Sequence, residues 1–183
     1  MTRLAALVLA AAACSAGCLV LALDRFYDEP AIVFDERLLG TWRDADDNVS
    51  VTVERSDWRA YRLSYTHPID TRVLSGYLFK VKDAFFLDLS PLRGEDPGPF
   101  LLPAHGLVRL TIAADEVSVF PLDYDWFAES LAKRTLPADL RATRGERNQV
   151  VLGAERALLV KWLAGRPAKD PAFGDAAVFK KER

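Results

Sequence analysis

The chain has 183 residues, 24 of them basic and 26 acidic, and half of its residues are apolar. The apolar share is uneven: 19 of the first 23 residues are apolar, whereas the other 160 are about 46% apolar, the fraction of an ordinary globular domain. That remainder is therefore neither disordered nor a multispanning membrane protein, and it is long enough to bury a core without metal or disulfide staples. A net charge of −2, with no basic run longer than Lys180-Lys181, gives no clustered face for nucleic acid, so no nucleic-acid partner is expected. Both cysteines, Cys14 and Cys18, lie in the apolar leader. The domain behind it is thus expected to lack a disulfide, a cysteine zinc site and a cysteine nucleophile. Its two histidines, His67 and His105, are too few for a histidine-rich metal site, and no metal or cofactor is expected.

Residues 1–23 carry one cation, Arg3, and then no charge until Asp24. A basic start followed by an apolar run is the pattern of a secretory signal. Ser15-Ala16-Gly17-Cys18 resembles the lipobox of bacterial lipoproteins, which implies a cleaved signal peptide over residues 1–17 and a lipidated Cys18. Ala11-Ala12-Ala13-Cys14 offers an alternative acceptor at Cys14. Leu4 to Leu23 is also a run of 20 uncharged residues, long enough for an uncleaved transmembrane anchor. Ordinary signal cleavage with soluble secretion is the third possibility. With Leu19 and not Asp after Cys18, the lipobox resemblance implies the outer membrane of a Gram-negative envelope, on its periplasmic face.

Residues 18–35 read as a lipidated N-terminus and a polar, aromatic tether, and residues 36–183 as one domain. In chain order the strand candidates begin with Leu38 to Arg43. Val49, Val51 and Val53 then alternate with polar residues, as do Tyr61, Leu63 and Tyr65; period two marks strands with one buried and one wet face. Further strands are expected at 73–81, 84–89, 106–113, 116–121, 139–143, 148–152 and 176–180. Two helices interrupt them, at 124–134 with Asp123 or Asp125 as N-cap, and at 154–164, stopped by Gly165 and Pro167. About ten short strands with tight connections predict a mainly β (α+β) domain: an antiparallel barrel or strongly curled sheet of 8–10 strands with two packed helices. The one long connection, Ser90 to Ala104, is rich in proline and glycine and has the length of a lid or binding loop.

Gly40-Thr41-Trp42 at the start of the first domain strand resembles the first motif of the lipocalins and their calycin relatives. The resemblance carries over Gly40 and Trp42 only. It implies that the tryptophan closes one end of an up-and-down barrel beneath a basic side chain from a late strand, with Lys180 and Lys181 as the two candidates. The set LLGTW, FFLDL, LPAH and LDYDWF is similar to that of uncharacterised bacterial lipoproteins with such a domain.

No phosphate loop, HExxH or G-x-S-x-G motif is present. His105, near the long connection, is the residue to inspect as a general base, and Asp123, Asp125 and Glu129 are read as helix capping. The expected function is that of an envelope lipoprotein whose calycin-like barrel binds a small apolar or amphiphilic ligand without catalysis. Tyr61, Tyr65, Tyr77, Phe79, Phe85 and His105 are the candidate ligand-facing residues, and Trp58 is a further aromatic expected to line the barrel. The alternative is a structural lipoprotein with a solid barrel that docks another envelope protein.

Overall fold

A computed structural model describes residues 18–44, 48–68, 70–92, 104–145, 148–167 and 169–182. The protein is mainly β. Eight strands close an antiparallel barrel: β2 (Gly40–Asp44), β3 (Val49–Arg55), β4 (Ala60–His67), β5 (Asp70–Val81), β6 (Ala84–Pro91), β7 (Gly106–Ile112), β8 (Glu116–Pro121) and β11 (Ala177–Lys181). β2 to β8 form a meander, and β11 closes it by pairing with both β8 and β2. Before β11 the chain leaves the barrel to build helix α1 (Tyr124–Ala132), strands β9 (Ala142–Gly145) and β10 (Gln149–Leu152), and helix α2 (Arg156–Ala164).

The expected strands at 139–143 and 148–152 thus correspond to β9 and β10, which lie outside the barrel. They form a separate three-stranded sheet with β1 (Leu19–Ala22), β1 running parallel to β10. This corrects the reading of residues 18–35 as a tether. Val20, Ala22, Phe26, Tyr27 and Ile32 in that stretch are all buried. Its polar residues have structural partners as well: Asp24 accepts the Arg156 amide at 2.9 Å, capping α2 from 132 positions away, while the adjacent Glu155 makes no side-chain cap. Removing such a cap costs about 1 kcal/mol. Asp24→Ala is expected to lower the unfolding free energy by that amount, read as a lower denaturation midpoint with an unchanged slope.

Alternation along the strands divides the apolar side chains between two cores. Inward residues such as Trp42, Val53, Tyr61, Leu63, Leu78, Leu87 and Leu110 fill the barrel. Outward residues such as Phe79, Phe86 and Leu107 pack with Phe26, Phe127, Val150, Leu152 and Leu159 in a second layer formed by the small sheet, the helices and the N-terminal segment. Gly76 belongs to the inward set, where a Cβ would come within 2.6 Å of Leu63 Cδ1; only glycine lets the interior side chains close in at that level.

The two barrel ends differ. One end carries the β3–β4, β5–β6 and β7–β8 hairpins and is plugged by a 3₁₀ turn, Glu36–Leu38, whose Leu38 carbonyl accepts the Trp42 indole N–H at 2.8 Å. The other end, called the mouth below, carries the β2–β3, β4–β5 and β6–β7 connections. Most of the long connection expected to act as a lid or binding loop, residues 93–103, lies outside the described residues, as do Cys14 and the rest of the leader before Cys18.

Candidate functional site

The barrel interior retains a cavity of about 70 Å³, lined by Trp42, Tyr61, Leu63, Leu87, Leu110 and Val117 together with Leu38 and further valines. Every lining residue except Tyr61 is wholly apolar or, for Trp42, has its polar group turned to a backbone carbonyl. Tyr61 is no polar intrusion either. Its hydroxyl accepts the Asp35 amide at 2.7 Å and donates to the Asp35 carbonyl at 3.1 Å, so the chain entering the barrel satisfies it. Phe34 stacks on its ring, with centroids 4.6 Å apart and planes 7° off parallel.

Burial drives the Tyr61 hydroxyl up to about 12, with the neighbouring Asp35 carboxylate acting in the same direction. A phenol whose folded value lies above its free value of about 10 gives stability that is fully present below pH 10 and lost as pH rises toward 12. Denaturation at pH 9 and pH 12 is expected to show a loss of up to about 3 kcal/mol from this group. Tyr61→Phe should flatten that part of the pH profile.

The end of the barrel near Trp42 is closed by a cation. Lys181 Nζ lies 5.1 Å from the Trp42 ring centroid and donates to the Arg37 carbonyl at 3.1 Å, tying the last strand to the 3₁₀ plug. Of the two lysines open to that role from the sequence, Lys181 takes it; Lys180 pairs with Arg43 across the β11–β2 ladder. Gly40 has φ +123°, and a Cβ there would lie 3.0 Å from Lys181 Cε. Both the backbone conformation and the close approach of the lysine therefore require glycine.

The structure sorts the aromatic candidates. Tyr61 and Phe85 belong to the barrel interior, and Tyr65 shares the inward face of β4 with Tyr61 and Leu63, two residues nearer the mouth. Tyr77 and Phe79 do not face a ligand space. They point out of the barrel onto Tyr27, with ring centroids 5.3 and 5.6 Å away, and belong to the outer core. Trp58 does not line the barrel either: it is 63% exposed on the β3–β4 hairpin with φ 51°. A two-residue period states that half the side chains point inward but not which half, and the register with neighbouring strands decides it.

His105 also lies outside the barrel, which corrects its placement among the ligand-facing residues. Its Nδ1 is 2.7 Å from Asp88 Oδ1, and the second Asp88 oxygen accepts the Phe26 amide at 2.9 Å. Asp88 is 1% exposed. With a carboxylate as acceptor, Nδ1 is the donor of this bond and Nε2 points away from it. That is the orientation a general base needs, yet no hydroxyl or thiol among the described residues is hydrogen-bonded to His105. What the pair does is structural: His105 and Ala22 also exchange both backbone hydrogen bonds, each at 2.9 Å, so Asp88 and His105 together clamp the N-terminal segment to the barrel wall. No sequence pattern marks out Asp88, whose partner Phe26 is 62 residues away. Among the described residues no three His, Cys, Asp or Glu side chains converge as metal ligands.

No protein-family model matches the chain, and no curated protein or solved structure shows significant similarity to it.

Proposed function

We propose that this chain is an envelope lipoprotein, acylated at Cys18, whose calycin-like barrel receives the apolar part of a small amphiphile. The observation that carries the ligand reading is the apolar cavity of about 70 Å³ between Trp42 and Tyr61. Unfilled volume of this size forfeits about 2 kcal/mol of packing at about 24 cal/mol per Å³, and an apolar occupant recovers it. The volume is about half that of an engineered 150 Å³ cavity that stays dry and takes benzene, so the part received is a short alkyl end. With no polar anchor in the lining, a headgroup would stay outside the cavity.

The reading of an acyl anchor at Cys18, in place of a transmembrane one, draws support from β1. Leu19 to Leu23 are the end of the 20-residue uncharged run; Leu19 to Ala22 are spent on a sheet with Val20 and Ala22 buried, and the Leu23 amide donates to the Leu152 carbonyl. The same residues cannot also lie in a bilayer. What remains, Leu4 to Cys18, is 15 residues, about 22 Å as a helix against a hydrocarbon core of about 30 Å. That is short for a spanning anchor and ordinary for the apolar part of a cleaved signal.

A cavity smaller than the ~300 Å³ at which ordinary ligand pockets begin favours the second reading, a filled barrel that docks another envelope protein. A thermal-shift series with straight-chain alcohols separates the two. The ligand reading expects stabilisation that rises with chain length and disappears in Val119→Phe, which fills the cavity. No chain-length dependence, with a stoichiometric protein partner recovered from solubilised envelopes, selects docking. Palmitate labelling that survives Cys18→Ser would move the anchor to Cys14.

A further inference from the structure

The acyl anchor of the lipoprotein reading, on which this inference rests, would have no flexible linker. Cys18 is followed at once by Leu19, which pairs with Gln149 as the first residue of β1. A parallel strand held in register to Ala22, and clamped there to His105, cannot swing. The direction in which the chain enters β1 therefore fixes which part of the protein meets the lipid.

That direction follows from the topology. β7 runs from the mouth, where Gly106 pairs with Leu89, toward the plugged end, where Ile112 pairs with Val117. The Ala22–His105 bridge is antiparallel, so β1 runs the opposite way, and the chain arrives at Leu19 from the side of the plugged end. The turn between β9 and β10 lies at the same end of the small sheet, because Leu19 pairs with Gln149 and Gln149 with Gly145.

The plugged end carries an independent feature. Trp58, the most exposed of the large apolar side chains among the described residues, sits there at 63% exposure, on the tip of the β3–β4 hairpin with Arg59 5.6 Å from its ring. An indole beside an arginine suits the boundary between headgroups and acyl chains. Asp57 and Asp83 on the same end offset Arg59 and Lys82, so the attraction rests on the indole and not on net charge.

We propose that the plugged end of the barrel, with the β9–β10 edge and Trp58, faces the bilayer, and that the mouth faces away from it.

The test uses the full-length chain, expressed in a lipoprotein-processing host and reconstituted in phosphatidylethanolamine–phosphatidylglycerol vesicles. Acylation blocks Cys18 and cleavage removes Cys14, so one introduced cysteine carries a fluorophore. Arg144→Cys places it on exposed β9, and Thr71→Cys on exposed β5 at the mouth. Nitroxide-bearing lipids are expected to quench the label at 144 and to leave the label at 71 at its lipid-free intensity. Trp58→Phe is expected to remove the lipid-quenched part of the tryptophan emission. Intact mass is read on the same samples. An acylated chain quenched at 71 and not at 144, or equally at both, overturns the orientation and leaves the anchor standing. A chain with no lipid on Cys18 overturns both.

Discussion

Asp88→Ala is expected to cost about 2–5 kcal/mol of stability, the range for leaving two hydrogen-bond donors without their shared acceptor. The carboxylate is 1% exposed and accepts from two directions, the Phe26 amide at 2.9 Å and His105 Nδ1 at 2.7 Å. Alanine leaves both donors without that acceptor, the Phe26 amide within the fully buried layer, and each such group carries about 1–3 kcal/mol. Asp88→Asn keeps one carbonyl oxygen and should recover part of the loss. Because both bonds tie the N-terminal segment to the barrel wall, the damage is expected to be local first. Hydrogen exchange should show the amides of residues 19–27 losing protection in Asp88→Asn before those of β3 and β4. Equal loss across the barrel would mean that the carboxylate supports the whole fold and not the clamp.

Trp42→Ala is the second large effect, expected at about 3–5 kcal/mol as for other buried aromatic truncations. The indole is 3% exposed, donates to the Leu38 carbonyl at 2.8 Å and lies under Lys181. Its removal takes away the side chain against which the 3₁₀ plug and the last strand are held. It also enlarges a cavity that is already apolar, and enlarged apolar cavities bind small aromatics. Indole or benzene is therefore expected to raise the melting temperature of Trp42→Ala and to leave that of the unchanged protein where it is. Absence of rescue would mean that the plug collapses into the space.

How far the sequence carries the structure differs from element to element. Val49, Val51 and Val53 read as a strand because burial of one face leaves a two-residue period, and the same holds for β4, β5 and β7. Helix α1 was legible from Asp123, whose carboxylate does accept the Trp126 amide at 2.6 Å. β1 was not legible. Its four residues are uniformly apolar and continuous with a leader of the same composition, and its partner β10 is 130 positions away. Four consecutive apolar residues carry no period, so composition alone assigned them to the leader.

The candidate site was legible in part for a similar reason. Gly40 and Trp42 stand two apart and are required by local geometry, a positive φ and an inward strand position, so a short motif exposes them. Tyr77 and Phe79 looked equivalent to Tyr61 and Phe85 because an outward position covered by a second layer is as apolar as an inward one. The outer layer here is made by residues 19–33, the stretch whose polar side chains suggested a tether. Asp88 could not be recognised in FFLDLS, where one carboxylate between apolar residues has the same pattern whether it faces water or a backbone amide brought over it by the fold.

If the cavity beside Trp42 and Tyr61 receives an apolar group, it should also take up an apolar gas atom. Xenon is the most direct probe, being apolar, spherical and small enough for about 70 Å³. Crystals of the protein under xenon pressure are predicted to show one internal site in contact with Trp42, Tyr61 and Leu63, absent from Val119→Phe crystals treated alike. Diffraction from pressurised crystals with no xenon inside the barrel would rule out a receiving site there and leave the filled barrel, docking through its surface.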